Sequence, residues 1–263
     1  RMMHDTSRLA IHTITTKPGP VEKAIDKFAE AGARGISVWK EALEGRKAAS
    51  VGERIRKAGL RTVATVRGGF FAALSPEERK KRIDDNRALV DLSAELGSPM
   101  IVLVPGAHPG QELEESRRQI RDGIAEILPY AEKAGVRLAI EPLHPMYADA
   151  RSAVNTLKQA NDLCVELDHP GLGVAIDVYH LFWDPDLERE IARCGAMGRI
   201  FAFHVCDWKT PTTDFLNDRG LMGEGCIAIP KIRRWVEAAG FDGLVEVEIF
   251  SDQIGRASCR ERV

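Results

Sequence analysis

Short apolar, β-rich runs alternate with helix-period stretches along the whole chain. The runs are LAIHTI (9–14), GISVW (35–39), RTVATV (61–66), MIVLV (100–104), RLAIEP (137–142), LGVAID (172–177), RIFAFHV (199–205) and LVEVEIF (244–250), eight in all. Amphipathic segments lie between them, among them 20–31, 76–96, 114–134 and 153–166. A short apolar run bounded by turn residues predicts a buried strand; an apolar period of 3.6 residues predicts a helix with one face on a core. Ser75 before Pro76 and Glu78 predicts a helix start, with a capping side chain and then proline at the first helical position. Gly32, Gly59, Gly97, Gly135 and Gly240 stand where helices should stop, each ahead of a strand.

Strands alternating with helices imply a parallel sheet with helical crossovers. A count of eight predicts the α/β class and a closed (β/α)8 TIM barrel. The rival is an open doubly wound sheet, which places a glycine-rich phosphate loop after its first strand; HTITTKPGP (12–20) is no such loop. No linker divides the chain, and 263 residues is the length of one barrel. The residues IGRASCRERV (254–263) are polar, basic and aperiodic directly after a strong strand, and they match a reading frame of a common sequencing adapter. The expectation is therefore one domain over 1–253, a non-native tail over 254–263, and a barrel lacking its last outer helix.

Composition narrows the field without naming a function. Hydrophobic residues make up 44% and charged residues 29%, as in an ordinary globular protein. A net charge of −2 gives no electrostatic reason to seek nucleic acid or an anionic membrane. No apolar run reaches the roughly 18 residues of a membrane span, and no signal peptide opens the chain. The five cysteines form no C-x-x-C pair, which predicts reduced thiols and a cytoplasmic protein.

The chemistry is written at the strand ends. RLAIEPLHP (137–145) closes an apolar strand on Glu141 and locks the chain behind it with Pro142. A buried carboxylate is costly unless it is paired or bound to a cation. Strand six ends in Asp177, strand seven in His204 and strand eight in Glu248, each roughly one βα unit after the last. Taken singly these residues say little: a strand-end Asp is more often a helix cap, and a His beside Phe203 is more often a hydrogen-bonded core histidine. Consecutive strand ends of a barrel lie side by side, however, so four ligand-type side chains are predicted to converge. Two Glu, one Asp and one His make a hard, mostly oxygen site suited to Mn²⁺ or Mg²⁺, with Zn²⁺ and Co²⁺ behind them.

The segments IEPLHP, DVYH, FHVCD, GEG and VEIF resemble those of the xylose-isomerase-like sugar isomerase and epimerase superfamily, over residues 8 to 250. That resemblance implies a divalent-metal enzyme whose ligands are Glu141, Asp177, His204 and Glu248. It makes the two glutamates the proton-transfer pair and gives His180 a hydrogen bond to a substrate oxygen. Glu246 competes with Glu248, because strand side chains repeat every two residues; Glu248 lies nearer the carboxyl end. Softer candidates for the pocket are His144, Arg67, Trp39, Lys40 and His12. Glu224 reads as structural, and GAHPG (106–110) as a candidate lid.

The chemistry expected of such a site is proton transfer next to a carbonyl, giving isomerisation or epimerisation of a keto-sugar or sugar phosphate through an enediolate. Loss of a β-leaving group from the same enediolate would instead make a lyase, dehydratase or deglycosidase of 3-keto sugars, with His144 protonating the leaving group. An apurinic-site endonuclease of the same superfamily needs an Asp-Arg-His pattern after strand seven; here Asp218 and Arg219 are followed by Gly220. A non-catalytic sugar-binding barrel or partner subunit is disfavoured by the intact quartet, while assembly as a homo-oligomer is compatible with the sequence.

Overall fold

The computed structural model describes residues 5–17 and 19–252. The expectations of a non-native tail and a missing last outer helix fall on 253–263, outside the described residues. Eight parallel strands close into a barrel in sequence order. They are β1 (Leu9–His12), β2 (Gly35–Trp39), β3 (Arg61–Gly69), β4 (Met100–Val104), β5 (Arg137–Ile140), β6 (Leu172–Asp177), β7 (Ile200–Val205) and β8 (Val245–Val247). The helices are α1 (Val21–Glu30), α2 (Ala48–Lys57), α3 (Pro76–Leu96), α4 (Leu113–Lys133), α5 (Leu157–Leu167), α6 (Val178–Leu181), α7 (Leu187–Ala196) and α8 (Ile229–Ala238).

Local signals set most element ends. Ser75 accepts a hydrogen bond from the Glu78 amide at 3.1 Å, and the five glycines expected to stop helices all have positive φ. The segment 153–166 becomes helical only from Leu157, because Thr156 and Gln159 form a reciprocal capping box. β3 runs three residues beyond the predicted run, and its pairing with β4 shifts register between Val66 and Gly68. Arg67 is the residue skipped by that shift.

Alternation along the strands sorts the side chains. Ile101, Leu103, Leu138, Ile140, Val174, Ile176, Phe203 and Val205 face outward into a buried layer with Val90, Ile120, Ile124 and Ile127 of the helices. Each such side chain contributes about 1.5–3 kcal/mol by leaving water. Ala64, Val66, Met100, Val102, Ala139, Ala175 and Ala202 fill the barrel interior. Two residues past an inward alanine, the next inward position is Glu141 on β5, Asp177 on β6 and His204 on β7. The alanines leave room beneath three of the polar groups, so the packed core ends where the chemistry begins.

Replacing Ala175 by Leu should overfill this floor. The expected cost is about 1–3 kcal/mol of stability, read by urea denaturation, together with weaker binding of Mn²⁺ by the displaced Asp177.

Candidate metal centre

Pairing register decides which groups meet. Asp177 is level with His204, and His204 is level with Glu246, so Glu248 stands two residues nearer the mouth. His204 Nδ1 lies 2.8 Å from Glu141 Oε2, 3.0 Å from Glu248 Oε2 and 3.9 Å from Asp177 Oδ2. One donor atom from each of the four falls within 4.8 Å of the other three. All four residues are buried.

The donor set fits a cation. Asp177 spends Oδ1 on the Tyr179 amide at 2.8 Å, capping α6, and its Oδ2 is buried without a hydrogen-bond partner, as is Glu248 Oε2. Burial and repulsion from Glu248 raise the pKa of Glu141; burial, Glu248 and Glu141 raise that of Asp177 well above the ordinary carboxylate range. Burial disfavours a charged His204, yet Glu246, Glu141 and Glu248 outweigh it and hold its pKa well above the usual value. The carboxylates crowd one another, and a divalent ion held among them would relieve that repulsion.

Behind the quartet runs a second polar chain. Glu246 Oε1 accepts from Ser37 Oγ at 2.6 Å and lies 2.9 Å from His12 Nε2; its Oε2 lies 3.6 Å from His204 Nε2. Trp39 Nε1 donates to His12 Nδ1 at 3.1 Å. An indole N–H only donates, so His12 Nδ1 accepts and its proton sits on Nε2, facing Glu246. Glu246 in turn faces the far nitrogen of His204, the place a carboxylate takes to orient a metal-binding imidazole. The deeper glutamate thus stands behind His204 and forms a second possible ligand group with His12 and His204, while Glu248 stands with Glu141 and Asp177 on the Nδ1 side.

His180, on α6, accepts the His144 amide proton on Nδ1 at 3.0 Å, so its Nε2 carries hydrogen and lies 4.0 Å from Glu141 Oε1. Burial, then Arg219, pushes its pKa well below the usual value, leaving a neutral donor at the edge of the quartet. His144 stays outside the quartet: its Nδ1 accepts from the Met146 amide, and its ring packs 5.9 Å from Trp183 and 5.2 Å from Trp208. Trp39 is buried against Phe250 at 5.2 Å, with the Arg67 guanidinium 5.6 Å from its centre. Those residues, with Thr13, Ile14 and Lys17, border a cavity of about 310 Å³ at the mouth. Lys40 is exposed at the rim.

The loop after β7 is built around Asp207, whose carboxylate accepts from the amides of Trp208, Gly223 and Ile227. A side chain at Gly225 would come within 2.5 Å of that carboxylate, which explains the glycine. Glu224 accepts from the Leu221 amide, a structural role as expected. The base of the 106–110 loop is pinned, since Gly106 pairs with Ser152 and accepts from the Ala153 amide; Pro109 and Gly110 at its tip are exposed.

The same loop carries Arg219, in sequence only the middle residue of Asp218-Arg219-Gly220. It is 3% exposed, and its guanidinium lies 4.0 Å over Tyr179 and 4.7 Å over Phe250. A single Arg between Asp and Gly gives no sign of burial, so only the folded loop reveals it.

The profile of the xylose isomerase-like TIM barrel family matches residues 25–262, and the chain belongs to that family. A solved structure of a Sinorhizobium meliloti protein is 47% identical, with a TM-score of 0.93, over 98% of this chain and 94% of that one. An inosose isomerase of Bacillus licheniformis is 23% identical over 74% of this chain and 69% of its own length. A 3-dehydroshikimate dehydratase of Pseudomonas putida is 25% identical over 92% of this chain, corresponding to 38% of that protein.

Glu248→Gln should weaken Mn²⁺ binding more than Glu246→Gln, measured by calorimetric titration. Glu246→Gln, which presents an amide to His12 or His204, should lower the melting temperature of the metal-free chain as well. An opposite order of affinities would mean the strand-eight register is wrong by two residues.

Proposed function

We propose that this chain is a divalent-metal-dependent isomerase or epimerase of a keto-sugar or sugar phosphate, working through an enediolate. The observation that carries the reading is the pair of buried glutamates, Glu141 and Glu248, on strands three apart in the ring and both beside His204 Nδ1. Glu141, Asp177, His204 and Glu248 would hold a divalent ion, which would supply Lewis acidity beside the carbonyl of a hydroxy-ketone. One glutamate removes the proton from the carbon next to the carbonyl, and the same or the opposite glutamate returns it. Return to the other face inverts the centre; return to the neighbouring carbon moves the carbonyl. His180 holds a substrate oxygen through its Nε2 hydrogen, and the apolar wall of Trp39 and Phe250 limits water. Mn²⁺ and Mg²⁺ suit this oxygen-rich set, and Zn²⁺ and Co²⁺ are accommodated by it.

The dehydratase among the relatives supports a second reading, elimination. There the electrons of the broken C–H bond become the new double bond, and a β-hydroxyl leaves as water with the proton the glutamate has taken up, His144 donating a hydrogen bond to it through Nε2. Both readings share the first proton removal and separate at the second step.

The test is incorporation of deuterium from D₂O into keto-sugar substrates at saturating Mn²⁺. Glu141→Gln and Glu248→Gln should each keep an oxygen donor while slowing exchange by about 10²–10⁴. Exchange at the unaltered rate in both variants would remove the glutamates as bases. Exchange without product loss supports isomerisation or epimerisation, and release of water supports elimination.

A further inference from the structure

Buried or half-buried guanidinium groups are normally paired with carboxylates. Many arginines on the outside of this barrel follow that habit: Arg46 with Glu22, Arg118 with Glu115 and Arg193 with Asp162 are bidentate or close pairs. Arg67, Arg151 and Arg219 do not. Among the described residues, none of the three has a carboxylate oxygen within ion-pair distance, and the Nε atom of each is buried without a hydrogen-bond partner. Arg219 Nη1 has one weak contact, 4.0 Å from Cys206 Sγ. Each guanidinium has five N–H donors, and among the described residues that one contact of Arg219 is the whole of their hydrogen bonding to the chain.

All three sit on the carboxyl side of the barrel, the face that holds the metal centre. Arg67 stands at the register shift of β3, Arg151 in the loop after β5 and Arg219 in the loop after β7. They are propped by aromatic rings instead of carboxylates. Arg219 lies over Phe250, Phe250 packs on Trp39, and Arg67 lies 5.6 Å from Trp39. Arg151 lies 5.4 Å from the Tyr147 ring, which packs 5.9 Å from His180 beside Glu141. Burial and then repulsion from Arg67 pull Arg151 below the usual guanidinium range, so the groups are near enough to feel one another.

Charge balance gives the same answer. The three ligand carboxylates and a divalent ion together leave one negative charge, and Glu246 adds a second. Asp207 is already answered by three backbone amides. With the ion bound, three guanidinium groups overbalance the two remaining negative charges by one; without it the preference rests on the unpaired N–H donors alone. We infer that Arg67, Arg151 and Arg219 form a recognition site for an anionic group, a carboxylate or a phosphate, on the substrate of the metal centre. The substrate is then a keto-sugar acid or a sugar phosphate, and neutral sugars are discriminated against because they leave the arginines unpaired. This rests on the metal-dependent reading above and narrows its substrate class.

The test is calorimetric titration of the chain, with and without Mn²⁺ and at fixed ionic strength, with glucose 6-phosphate, glucuronate and glucose. At least one anionic sugar should bind on the order of tenfold or more tighter than glucose, the ratio expected of a charge-assisted hydrogen bond; which one does so separates phosphate from carboxylate. Arg67→Gln and Arg151→Gln should each remove most of that preference while leaving affinity for Mn²⁺ unchanged. Arg67→Lys and Arg151→Lys, which keep the charge but lose the fork, should retain part of it and guard against a variant that fails to fold. Glucose binding as tightly as both anions, or a preference that survives both Gln substitutions, would overturn the inference. Failure of Mn²⁺ to bind overturns the metal reading alone, because anion preference is read on the metal-free chain as well.

Discussion

Three carboxylates buried around one imidazole are the constraint to which the rest of the site is fitted. Such a cluster repels itself, and a dry interior makes the repulsion stronger. The barrel holds it by fixing each group from behind: Asp177 is tied to the start of α6, Glu141 is locked ahead of Pro142, and His204 faces Glu246 at its far nitrogen. The resulting negative pocket is preorganised for a cation, with its cost met by the outward packing of eight strands against their helices.

The same constraint explains the groups one step further out. His12, Ser37 and Trp39 are a buried polar chain that would be wasteful in an ordinary barrel floor. Here they satisfy Oε1 of Glu246 and settle which nitrogen of His12 bears the proton. On the opposite side His180 is kept neutral by burial and by Arg219 and directs an N–H toward Glu141. The arrangement therefore separates groups by place: carboxylates around His204 Nδ1, a neutral imidazole beside Glu141, and the Arg219 guanidinium pressed between Tyr179 and Phe250.

The chain determined a good deal by itself. Eight apolar runs with helix-period segments between them and glycines at the helix stops follow from the periods of strand and helix, which are local properties. The strand-end positions of Glu141, Asp177, His204 and Glu248 were legible for the same reason, since alternation along one strand and the serial order of strands suffice to bring them to one mouth. Tertiary structure decided what depends on inter-strand register and loop packing. Glu246 and Glu248 share one face of β8, and only the level of Glu246 against His204 puts the deeper one behind the imidazole and the other on its Nδ1 side. Arg219 is an ordinary loop arginine until the chain after β7 folds around Asp207 and presses it against Tyr179 and Phe250. Its burial arises from contacts between residues far apart in sequence, and no local pattern encodes such contacts.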